Sequence, residues 1–160
     1  MVEITFTSKV GEKNISSDNV QRLLKNMADI VHVIDISDSV KEDGVMVFDC
    51  KLDNFVFKFD EIDKDLIEEF ELDEEYLQVL FEDINGYVFD LIDDIEHDLR
   101  ETYKFEKIKL NYEIYDMNEN FSDVKFVMVA SFKEISRLEL ADLTKIAGKR
   151  QLLGSSKYFN

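Results

Sequence analysis

Residues 74–101 read EEYLQVLFEDINGYVFDLIDDIEHDLRE, and the spacing of their apolar positions decides the fold class. Leu77, Leu80, Phe81, Ile84, Val88, Leu91, Ile92, Ile95 and Leu99 recur at intervals of three and four, which predicts one amphipathic helix with Asp73 as its N-terminal cap. At roughly 1.5 Å per residue that helix is about 42 Å long. Asn85-Gly86 is its weak point, because glycine costs about 1 kcal/mol relative to alanine in a helix interior. At 100° per residue, Glu75, Glu82, Asp83, Asp90, Asp93, Asp94 and Glu101 fall opposite the apolar stripe. Tyr76, Val79 and Phe89 project near that polar side, where a purely solvated face has no use for them. One face is expected in the core, and the other presents a row of carboxylates.

Outward from this helix the sequence alternates. Residues 2–7 place Val2, Ile4 and Phe6 on one side, as a half-buried strand does. Ser16 or Ser17 then caps a helix carrying Val20, Leu23, Leu24, Met27, Ile30 and Val31, with a change to strand expected near Val33. Val45–Leu52 and Phe55–Phe59, joined at Asp53-Asn54, read as a hairpin. A short acidic helix is expected over Asp63–Phe70. Ile108–Ile114 and Val124–Phe132, joined by the loop Asp116–Asp123, read as a second hairpin. Ser136 with Glu139 forms a capping box for a last helix that is expected to stop at Gly148. The order predicts an α+β fold, with an antiparallel sheet of five to six strands built from hairpins and flanked by helices. Its 160 residues suit a single domain over residues 1–150, followed by a C-terminal tail over 151–160.

Composition narrows the class of function. Forty-five per cent of residues are apolar, so the chain is expected to fold despite being 34% charged. The single cysteine, Cys50, excludes a disulfide framework within the chain. No signal peptide and no apolar run of membrane-spanning length is present, so a soluble, cytoplasmic protein is expected. The formal charge is −17, and it is unevenly distributed: residues 1–50 contribute −4, residues 51–102 contribute −15 and residues 103–160 contribute +2. So many carboxylates in one third of the chain repel one another, and such asymmetry bears on partners rather than on fold. The sign excludes direct nucleic-acid binding through this region, because phosphates are neutralised by Lys and Arg. The absence of proline alongside abundant Asn, Lys, Ile and Phe matches the codon bias of an AT-rich genome, such as that of a low-GC bacterium or its phage.

The residues of catalysis are missing. His32 and His97 sit in no nucleophile elbow, HExxH or Cys/His signature, and neither a GxGxxG nor a Walker loop occurs. His97 with Asp93, Asp94 and Glu101 offers metal ligands, but all from one helix, which rarely closes a coordination shell. The loop Asp116–Phe121 matches the first ligand positions of a calcium loop, then places Phe121 where glycine is needed and Val127 where the bidentate glutamate belongs. No catalytic residue, metal or cofactor is therefore expected.

In size, acidity, AT-rich coding and lack of catalytic motifs, the whole chain resembles the small phage-encoded anti-CRISPR proteins that inhibit type II CRISPR effector nucleases. That resemblance rests on class and on no residue motif. It implies a non-enzymatic inhibitor that binds the basic surface of a nucleic-acid enzyme in the bacterial cytoplasm, blocking nucleic-acid binding or a required domain motion. Glu75, Glu82, Asp83, Asp90, Asp93, Asp94 and Glu101 are the expected contact residues, with Tyr76, Val79 and Phe89 as anchors. The order helix, three strands, helix, two strands, helix also resembles acidic dimeric chaperones of secreted effectors, which implies a stable dimer holding an unfolded client. A small metal-dependent enzyme built around His97 is the third alternative.

Overall fold

Val45–Leu52 and Val124–Ser131 lie side by side at the centre of a four-stranded antiparallel sheet. In the computed structural model, residues 1–53, 74–117 and 123–159 are described, with side chains over 1–53, 78–117 and 123–154. The strands are β1 (Glu3–Ser8), β2 (Gly11–Ser16), β3 (Ile30–Asp35), β4 (Val45–Leu52), β5 (Lys109–Met117) and β6 (Val124–Ser131). The helices are α1 (Ser17–Lys25), α2 (Glu74–Tyr103) and α3 (Arg137–Phe159), with a 3₁₀ turn over Ser37–Ser39. No helix among the described residues is long and apolar enough to cross a membrane.

The main sheet runs β3-β4-β6-β5, and β1 with β2 forms a separate two-stranded sheet. Because alternate strand residues face opposite sides, the apolar runs of β4 and β6 feed two cores. Met46, Phe48, Cys50 and Leu52 join Val124, Phe126, Met128 and Ala130 under α1, α2 and the β1-β2 hairpin. Val45, Val47, Val127 and Val129 join Ile135, Leu140 and Ala147 beneath α3. Both faces of the central strands are therefore covered, which explains why residues 45–48 and 126–130 are continuously apolar rather than alternating.

The α+β class and the β5-β6 hairpin agree with the sequence reading, but the single five- to six-stranded sheet does not. Residues 11–16, GEKNIS, pair with β1 through a two-residue turn at Lys9-Val10. Only Ile15 of that strand is buried among its hydrophobic core, so its polar sequence carried no alternation to detect. Ser16 is the N-cap of α1, accepting from the Asn19 N–H at 3.3 Å. The helix ends at Lys25, and β3 begins at Ile30, earlier than expected, in keeping with the β-branched Ile30, Val31 and Val33. Asn54 of the turn expected at Asp53-Asn54, the strand Phe55–Phe59, the helix Asp63–Phe70, the Asp73 cap and most of the loop Asp116–Asp123 lie outside the described residues.

The expected stop at Gly148 is also corrected, since α3 continues to Phe159. Glycine stands there because of packing: a Cβ at 148 would lie 2.9 Å from Glu113 Cγ and 3.3 Å from Glu113 Cβ. At Gly86, inside α2, the space where a Cβ would stand is open among the described residues. Gly86→Ala should therefore stabilise by up to about 1 kcal/mol through helix propensity. Gly148→Ala should destabilise by about 1–2 kcal/mol, because overpacking exceeds the same propensity gain. Urea midpoints moving in opposite directions for the two variants are the expected result, and a rise for both would refute the close packing of α3 on β5.

The N-terminal hairpin is fastened through a buried hydroxyl. Ser17 Oγ accepts from the Val2 N–H at 2.8 Å and donates to Asp35 at 2.5 Å, and the Ser37 N–H donates to Asp35 at 3.0 Å. Burial pushes the Asp35 carboxyl up, but the hydrogen bonds from Ser17 and Ser37 outweigh it, and the net shift is downward. A depressed folded pKa means that the ionised form supports the fold. The contribution is complete above the ordinary aspartate value of about 3.9 and is lost as pH falls through the lower folded value. Asp35→Asn should lower stability at pH 7 and flatten the acid limb of the stability profile, read by urea unfolding between about pH 2 and 7.

Candidate partner interface on the second helix

Helix α2 buries Leu80, Ile84, Val88, Leu91, Ile92, Ile95 and Leu99 toward the sheet. Phe81, assigned by its spacing to that stripe, is instead 39% exposed. Glu82, Asp83, Asp90, Asp93, Asp94 and Glu101 are all exposed. Val79 and Phe89 stand among them at 52% and 59% exposure. The side chains of Glu75 and Tyr76 lie outside the described residues. Asp98, which spacing alone did not single out, joins the exposed carboxylates.

Little neutralises this surface. His97 Nε2 lies 3.3 Å from a Glu101 oxygen, and both side chains are largely exposed. Glu82 accepts from Gln78 at 3.3 Å. Among the described residues no cation is within ion-pair distance of Asp83, Asp90, Asp93, Asp94 or Asp98. Nor do three His, Cys, Asp or Glu side chains converge as a metal site among the described residues, so the His97 cluster does not assemble a coordination shell there.

The helix is positioned by two tyrosines and one glutamate that the sequence did not reveal. Tyr112 of β5 donates to the Asn85 side-chain oxygen at 2.8 Å, beside Gly86, and lies 3.0 Å from the Asn85 carbonyl. Tyr87 has its phenol pushed up to about 12 by burial and by a hydrogen bond with Asp29, which ties α2 to the turn before β3. Glu96 is 7% exposed and accepts from the Leu110 N–H at 2.8 Å. Arg137 Nη2 sits 2.9 Å from the same carboxylate, while its Nη1 donates to the Leu110 carbonyl at 3.1 Å. Arg100 completes the cluster, 3.5 Å from Glu96, and donates to the Ile108 carbonyl at 2.7 Å. These side chains close the start of the outer edge of β5, where unpaired backbone groups would otherwise invite strand pairing.

Phe89, Asp93, Tyr112 and Arg137 line a groove of about 350 Å³ between α2 and β5. It joins the exposed Phe89 ring to the Asp93 carboxylate, with the Arg137 guanidinium, paired to Glu96, also in its lining. Cys50 offers no chemistry of its own: it is buried, and burial together with Asp49 pushes its thiol far up, away from the reactive thiolate. No protein family matches the chain, and no curated protein or solved structure matches it either.

Proposed function

We propose that this protein acts without catalysis of its own, by docking the solvent face of α2 on a positively charged surface of a nucleic-acid-processing enzyme. One observation carries the reading: exposed carboxylates on α2, among them Asp83, Asp90, Asp93 and Asp94 with no ion-pair partner among the described residues, surround exposed Val79 and Phe89, on a helix whose opposite side is packed into the core. Charge of one sign on a rigid element speeds encounter with the opposite sign, and apolar anchors set how long the contact lasts. Basic grooves belong above all to enzymes that hold DNA or RNA. A type II CRISPR effector nuclease in the bacterial cytoplasm is the favoured partner, in line with the class resemblance, and occlusion of its nucleic-acid channel or of a domain motion is the favoured effect.

Cleavage of a matched DNA by guide-loaded type II effectors tests this directly. Stoichiometric loss of cleavage on adding the protein is the expected result. Complete cleavage at excess protein, with no complex in gel filtration, would reject the effector as partner.

A second reading is favoured by element order. After the N-terminal hairpin the described elements run α1, β3, β4, α2, β5, β6, α3, in the order of the effector chaperones, whose third strand corresponds to Phe55–Phe59, outside the described residues. That reading requires an unfolded client rather than a folded basic one. Protection of an unfolded secreted segment from protease by this protein would favour it over the inhibitor.

A further inference from the structure

The outer face of α3, on the side of the sheet away from α2, carries exposed apolar side chains. Leu140, Thr144 and Ala147 are buried on the sheet side of the helix, whereas Leu138 is 74% exposed, Ile146 51% and Leu153 64%. Leu138, Ile146 and Leu153 lie eight and seven residues apart, so all three fall on one side of the helix. Asp142, Lys145 and Lys149 are exposed on the same side, and none of them has an ion-pair partner among the described residues.

The charges on this face are ordered. Glu139 and Asp142 occupy the first half of the helix, and Lys145, Lys149 and Arg150 follow with no acidic residue among or after them. A second α3 laid antiparallel, with the two-fold axis passing between Lys145 and Ile146, sets Leu138 against Leu153 of the second copy. The same register sets Asp142 against Lys149 of the second copy, and the symmetry makes each contact twice. Parallel pairing would place like charges together. The axis also brings Lys145 of the two copies together, one like-charge contact against two Asp142–Lys149 pairs, so the antiparallel register is the better matched of the two orientations, as an isologous interface requires.

We infer that the protein pairs with a second copy of itself through antiparallel α3 helices, with Leu138, Ile146 and Leu153 as the apolar seam and Asp142–Lys149 pairs as the register. This goes beyond the proposed action of α2. Because α2 and α3 cover opposite faces of the sheet, the pair leaves both carboxylate surfaces open.

Sedimentation equilibrium at about 0.15 M salt, where a screening length of about 8 Å damps the long-range repulsion of two acidic chains, reads the association. Over about 2–200 µM, the range suited to weak pairing, the mass should rise toward twice 18.8 kDa. Asp142→Lys should weaken pairing at least about tenfold, and Asp142→Lys with Lys149→Asp should restore it to within about threefold. Leu138→Ser should weaken it without altering the circular-dichroism spectrum, since the side chain is exposed. A monomer at every concentration, indifference to Asp142→Lys, or failure of the double exchange to restore pairing would each overturn the inference. Charge reversal on α2 should leave the mass unchanged, so this inference and the proposed function fail separately.

Discussion

If α2 docks on an effector nuclease as proposed, replacing Glu82, Asp83, Asp90, Asp93 and Asp94 by Lys should slow association with the guide-loaded enzyme by about 10- to 1,000-fold at low salt, with a smaller change in dissociation rate. Each substitution shifts the formal charge by two, so the five take the protein from −17 to −7. Net charge and local surface are separated by a matched pair of triple variants. Asp90, Asp93 and Asp94→Lys alters the α2 face, whereas Glu3, Glu12 and Asp43→Lys makes the same change at exposed positions elsewhere. If the helix face makes the contact, the first triple variant slows stopped-flow association far more than the second. Equal rates for the two would reduce the effect to overall charge and remove α2 as the interface. Phe89→Ala should act in the other kinetic phase, raising the dissociation rate, because an apolar anchor contributes mainly after encounter. All these side chains are exposed, so none of the changes is expected to unfold the protein.

Glu96→Ala should be the most destabilising single carboxylate substitution on α2, costing about 3 kcal/mol. At about 2–4 °C per kcal/mol for a chain of this size, the Tm falls by about 6–12 °C. The loss has a definite origin: the Leu110 N–H and the Arg137 and Arg100 guanidinium groups all direct hydrogen bonds or charge at this one carboxylate, which is 7% exposed. Glu96→Gln keeps one acceptor and should lose roughly half as much. Asp94→Ala, two residues away and exposed, should stay within about 0.5 kcal/mol of the parent. A Tm for Glu96→Ala equal to that of Asp94→Ala would show that the edge cluster contributes nothing to stability.

Glu96 and Asp94 also show how far the sequence could be read. Both are carboxylates in the run DLIDDIEHD, and only their place relative to the apolar stripe separates them. The 3.6-residue period places Glu96 at the margin of the apolar stripe, where a small tilt of the helix decides between solvent and core. Only β5 and the start of α3, distant in sequence, bring the Leu110 backbone and Arg137 to it. Gly148 was misread for a related reason. In sequence it looks like a helix stop, while its function is to let Glu113 pass.

Local physics was sufficient for whatever depends on neighbours along the chain. The Ser16 cap, the periodicity of Ile84, Val88, Leu91 and Ile95, the alternation in β5, and the outward Glu82, Asp83, Asp90, Asp93 and Asp94 all follow from period and chemistry within a few residues. Tertiary structure decided what depends on surfaces meeting: the separate β1-β2 sheet, the strand order β3-β4-β6-β5, the burial of Glu96 and the continuation of α3 past Gly148. Backbone periodicity tells which side of an element is apolar, but the identity of the group packed against it is settled by long-range contacts, and these leave no local pattern in the sequence.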